Sequence, residues 1–131
     1  IIEKGVVLGE GCVIGANCHL FAKVSLANNV EIHQGAVIGG SPQISSYAQD
    51  DLKGVQIGEG SIVREYVTIN SGIEVKTSIG KNCLLMAYCH VGHDAKLEDH
   101  VSAPSAGGSD PRVSAIVDVL KRALPGYSKT L

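Results

Sequence analysis

The chain of 131 residues has no tryptophan and a single phenylalanine beside four tyrosines, so aromatic packing cannot supply its core. Aliphatic side chains must do so. No run of lysine or arginine is present and the formal net charge is −2, which argues against nucleic acid or an anionic membrane as the main partner. An acidic ligand would have to meet a local basic site. The longest apolar stretch, Cys83 to Cys89, is far too short to span a bilayer, and the N-terminus has no basic segment followed by an apolar run. These absences give the expectation of a cytoplasmic chain without membrane insertion. The four cysteines show no Cys-x-x-Cys spacing, which leaves little basis for a zinc site or a disulfide framework.

What the sequence has is a period of six. Isoleucine, leucine or valine recurs at Ile2, Leu8, Ile14, Leu20, Leu26, Ile32 and Ile38, then at Ile57, Val63 and Ile69, and again at Ile79, Leu85, Val91 and Leu97. A helix would place apolar residues three and four apart and a simple strand would fill alternate positions. One anchor in six instead describes a short flat side and a corner, stacked into a parallel β-helix. Four residues after the anchors come small side chains, among them Cys12, Cys18, Val24, Val30, Ala36, Cys83, Cys89 and Ala95, as a narrow prism requires. All four cysteines fall on this inward position and read as small buried hydrophobes. Gly9, Gly15, Gly39, Gly58, Gly80 and Gly92 directly follow anchors, where the expectation is a sharp corner with backbone angles that a β-carbon resists.

The period breaks twice. Between Ile38 and Ile57 the polar, turn-rich residues 40–56 form a projecting loop, and residues 70–78 form a shorter one carrying Lys76. Loops on a rigid scaffold are where binding groups concentrate. One coil later, His90, His93 and Asp94 fall within five residues around the anchor Val91. A neutral imidazole held in one tautomer by a carboxylate is suited to taking a proton near pH 7, and a structural or solvent-facing histidine is the competing reading. Metal binding lacks a third obvious ligand.

The hexad repeat, the loop ending Gln49-Asp50-Asp51-Leu52-Lys53, the segment Ile62 to Asn70, and Asn82-Cys83-Leu84-Leu85-Met86 running into His90-Val91-Gly92-His93-Asp94 together resemble the UDP-N-acetylglucosamine acyltransferases over roughly residues 1–101. That resemblance implies an all-β fold, a left-handed parallel β-helix, assembled as a homotrimer with sites between subunits. It also implies transfer of a (3-hydroxy)acyl group from acyl carrier protein to the 3-position of UDP-N-acetylglucosamine in lipid A biosynthesis, without a cofactor. In this light His93 resembles the general base and Asp94 the residue that orients it, so that replacing Asp94 by asparagine should cost less than losing His93. His90 and Met86 resemble residues lining the sugar site, Asp51 the carboxylate that holds the glucosamine, and Lys53 a loop lysine beside substrate and neighbouring subunit.

Two departures stand out. The loop reads Asp50-Asp51 where the family pattern has Gln-Asp, and after Val101 the repeat fades, whereas the family's chains are about twice as long. Residues 1–106 read as the β-helix domain and 107–131 as a linker and a short C-terminal helix, with Asp110 as cap, Pro111 in the first turn and Val113, Ile116, Val117, Leu120 and Leu124 at helical spacing. The shortened form leaves two alternatives: a non-catalytic trimer that keeps a sugar-nucleotide pocket, and an acetyl-CoA-dependent sugar acyltransferase.

Overall fold

The structure, a computed structural model, describes residues 1–105. The linker and helix expected beyond them lie outside the described residues. Fourteen short strands follow in order: β1 (Val7–Leu8), β2 (Val13–Ile14), β3 (His19–Leu20), β4 (Val24–Leu26), β5 (Glu31–Ile32), β6 (Val37–Gly40), β7 (Val55–Ile57), β8 (Ile62–Val63), β9 (Thr68–Asn70), β10 (Thr77–Ile79), β11 (Leu84–Leu85), β12 (His90–Val91), β13 (Lys96–Leu97) and β14 (Ser102–Ala103). Every third strand stacks in parallel on the same flat face. One face holds β1, β4, β7, β10 and β13, a second β2, β5, β8, β11 and β14, and a third β3, β6, β9 and β12. The winding is that of a left-handed hexapeptide β-helix, the known exception to right-handed crossovers.

A regular coil takes eighteen residues, since Val7 lies beside Ser25 and Leu84 beside Ser102. Inside, the anchors from Leu20 onward are buried, and Cys18, Val24, Val30, Ala36, Val67, Cys83, Cys89, Ala95 and Val101 fill the space beside them. Burying such an aliphatic side chain contributes about 1.5–3 kcal/mol, and successive coils share one continuous core. The four cysteines are free thiols, and those of Cys18 and Cys83 point at the carbonyls of His33 and Glu98 at 3.1 Å. Burial pushes the Cys89 thiol up to about 11, so it stays protonated.

The corners differ from the expectation. Of the six glycines after anchors only Gly39 has a positive φ, 87°. The left-handed residue comes two places later, at Gly5, Gly11, Asn17, Lys23, Asn29, Gly35, Gly60, Tyr66, Asn82, Tyr88, Asp94 and His100. Glycine after an anchor answers to crowding between coils instead: a β-carbon on Gly58 would stand 2.6 Å from the backbone carbon of Gly80. Among the described residues no helix is long and apolar enough to cross a membrane.

Candidate active site

Both loops and the His93-Asp94 pair leave the prism at one edge. The first loop runs from β6 to β7 and the second from β9 to β10, and His93 and Asp94 follow β12 on its way to β13. Each is therefore the turn from the third face to the first, on three successive coils, with Lys23 in the same turn one coil below.

His93 Nδ1 lies 2.7 Å from Oδ2 of Asp94, with both side chains largely buried at 18% and 14% exposure. Burial opposes the charge on Asp94. The hydrogen bonds from His93 and from the backbone of Val75, Glu74 and Ile73 outweigh it, and the carboxyl lies below its ordinary value of 3.8. An ionised carboxylate only accepts, so Nδ1 carries the ring proton and Nε2 of the neutral ring is a lone pair. That Nε2 is buried and has no hydrogen-bond partner among the described residues. The pair thus presents a ring nitrogen that no described protein group engages.

Asp94 adopts the left-handed φ of 65°, which turns its side chain back onto the second loop. Its Oδ1 accepts the N–H groups of Ile73, Glu74 and Val75 at 2.8, 2.8 and 3.0 Å, a backbone nest around an anion. Its own N–H donates to the hydroxyl of buried Thr77. His90 stands three residues before His93, on β12, with Nδ1 2.7 Å from the Thr68 hydroxyl on the neighbouring strand. Burial, reinforced by the nearby His93 and opposed by the contact with Thr68, pushes its pKa below 6.5.

The first loop closes onto the second. Lys53 N–H donates to the Gly72 carbonyl, and Gly72 and Thr77 N–H both donate to the Gly54 carbonyl. From below, the Lys23 ammonium donates to the carbonyls of Leu52 and Asp50 at 2.8 and 3.3 Å. Asp51 sits in a single 3-10 turn, Gln49–Asp51, and its side chain and that of Lys53 are exposed. A shallow cavity of about 230 Å³ under this loop is lined by Lys23, Gly39, Asp50, Leu52 and Ser71, among others, but not by Asp51. Met86 follows β11 on the second face, 39% exposed and round a corner from His90. One chain therefore joins His93, Asp94 and the closing end of the first loop, and leaves Met86 apart.

Sequence reasoning missed Lys23, Thr68, Thr77 and the backbone nest. No hexad signal marks Thr68 or Thr77. The nest had one: Asp94 stands three residues after an anchor, in the series that Gly5, Gly11, Asn17 and Asn29 fill with the residues most tolerant of a left-handed backbone. Among the described residues no group of three or more His, Cys, Asp or Glu side chains is placed to hold a metal ion.

Known proteins share features with this arrangement. Residues 1–22 match the family model for the hexapeptide repeat of succinyl-transferase. The acyl-[acyl-carrier-protein]–UDP-N-acetylglucosamine O-acyltransferase of Campylobacter lari is 34% identical over 122 residues, covering 77% of this chain and 46% of that protein. The UDP-N-acetylglucosamine acyltransferase structure from Francisella novicida is 33% identical with a TM-score of 0.54, over 78% of this chain and 42% of that one. The corresponding Bacteroides fragilis structure gives 28%, a TM-score of 0.57, and 78% and 48%. The chain spans less than half the length of the curated relatives it matches.

Proposed function

The chain belongs to the hexapeptide-repeat UDP-N-acetylglucosamine acyltransferase family, and from that premise we propose that it transfers an acyl group from acyl carrier protein to the 3-hydroxyl of UDP-N-acetylglucosamine. The observation that supports this most is the accepting Nε2 of His93, held in one tautomer by a carboxylate that is itself locked by three backbone N–H groups. The sugar hydroxyl gives its proton to Nε2 while its oxygen attacks the thioester carbonyl. A carbon–oxygen bond forms, the carbon–sulfur bond breaks, and the imidazolium returns the proton to the departing thiolate. No covalent acyl-enzyme is needed, and Cys89, with its raised pKa, remains a core residue.

Asp51 and Lys53, on the exposed rim of the first loop, would meet the sugar nucleotide, and His90 would line the sugar site beside the base. Met86 would reach a site only across a subunit boundary, which suits a homotrimer. The second face favours such an assembly. Strand alternation turns Ile62 and Leu84 outward there beside Met86, flanked by Glu31 and Ser102, whereas on the first face Ser25, Gln56, Ser78 and Lys96 follow Val7 outward.

The test is transfer by the full chain to UDP-N-acetylglucosamine from acyl carrier protein and, separately, from acetyl-CoA. Transfer from the carrier protein that falls about a hundred- to ten-thousandfold in His93→Ala, with sugar-nucleotide binding retained, is the expected result. Turnover close to that of the parent in His93→Ala would end the assignment, and binding without transfer from either donor would mark a non-catalytic relative.

A further inference from the structure

Two buried side-chain atoms have no hydrogen-bond partner among the described residues: Nε2 of His93 and Oδ1 of Asn70. The first is the lone pair assigned to the base. The second has no place in the scheme above, and because an unpaired buried amide oxygen is destabilising, it calls for a partner.

Asn70 closes β9 and is 7% exposed. On one side it pairs with Gly40 of β6. On the other side β9 lies beside β12, with Thr68 opposite His90 and Ile69 opposite Val91, and the chain leaves this face at Asn70 on one coil and at Gly92 and His93 on the next. The following residue, Ser71, has its hydroxyl engaged by the Gly54 N–H. The two unpaired atoms therefore belong to adjacent coils and to the same edge of the prism, where the chain turns from the third face to the first. Both are acceptors, because the ring proton of His93 is on Nδ1, so they cannot satisfy each other. They call for a ligand with two neighbouring donors.

We propose that Asn70 is a ligand-contacting residue of this site, whose Oδ1 accepts a hydrogen bond from the O–H or N–H next to the hydroxyl that approaches His93. A hexose with donors on adjacent ring carbons has that chemistry, whereas an alcohol with one hydroxyl meets only half of it. The proposal rests on the acyl-acceptor reading and adds a basis for choosing the sugar: the site rejects an analogue that lacks the second donor, since the amide oxygen would then stay unpaired.

Asn70→Leu keeps the side chain's approximate volume and removes the acceptor. Two measurements on the full chain decide the matter, calorimetric titration with UDP-N-acetylglucosamine and thermal denaturation without ligand. The expected result is binding at least tenfold weaker together with a melting temperature equal to or above that of the parent, because an unpaired polar group has gone. Asn70→Ala should weaken binding likewise. Unchanged affinity in both variants would overturn the role of Asn70 and leave the acyl-transfer reading standing. Both variants melting well below the parent would also overturn it, as the amide would then be serving the fold. A parent chain that does not bind UDP-N-acetylglucosamine would overturn both readings.

Discussion

Asp94 divides its two oxygens between tasks that an amide cannot combine. Oδ1 gathers three backbone N–H groups and Oδ2 holds Nδ1 of His93. Asparagine has one oxygen, and three donors compete for it against one, so its NH₂ would turn to His93 and move the ring proton to Nε2. The sequence alone ranks Asp94→Asn as milder than loss of His93. The nest argues for parity, a fall in kcat of roughly a hundred- to ten-thousandfold with little change in sugar-nucleotide affinity, measurable by single-turnover transfer. His90 bears on stability. Its folded pKa lies below 6.5 through burial and the proximity of His93, so between those values the unfolded chain binds more protons and stability rises with pH. The contribution is complete above about 6.5 and is lost as the pH falls through the folded pKa. The melting temperature should therefore drop between about pH 7 and pH 5, and His90→Gln should reduce that slope.

At the scale of the element, the second loop is a tight turn whose geometry admits no side chain at Gly72. A β-carbon there would collide with the carbonyl oxygen of Val75, and the same glycine exchanges hydrogen bonds with Lys53 and Gly54. Gly72→Ala should open the nest and detach the first loop at once. Expected are a carboxyl of Asp94 that titrates closer to 3.8 by NMR, a higher KM for the sugar nucleotide, and a kcat lowered about tenfold to a hundredfold by misplacement of the base. The loops and the His93-Asp94 pair were legible because they interrupt or adjoin the hexad repeat. Their partners were not. Thr68 meets His90 across a coil of 22 residues, the difference of their numbers, instead of the regular 18, because the second loop lengthens that turn. Only a known loop boundary would bring Thr68 to His90 and Thr77 to Asp94. The glycines misled for a related reason: sequence shows that a β-carbon is unwelcome, and close coils exclude it as firmly as a left-handed backbone does.

For the whole molecule, a single prism leaves Ile62, Leu84 and Met86 on one outer face, and the proposed trimer would cover them. Light scattering at micromolar concentration should give a mass three times that of one chain. Leu84→Lys should yield monomers that retain the β-sheet circular dichroism, because Leu85 and not Leu84 fills the core; trimers that survive this change would place the interface elsewhere. The eighteen-residue coil also makes residue number a statement of bearing as well as height. Six residues inserted between Ile79 and Leu85 would swing His93 and Asp94 a third of a revolution, to an edge with no loop. Eighteen would return them to the original edge but lift them one strand spacing, about 4.8 Å, out of reach of the second loop. Between Lys23 and Asp94 the chain can thus change length only at the projecting loop tips, while outside that span whole revolutions can be added or removed without altering the geometry of the site.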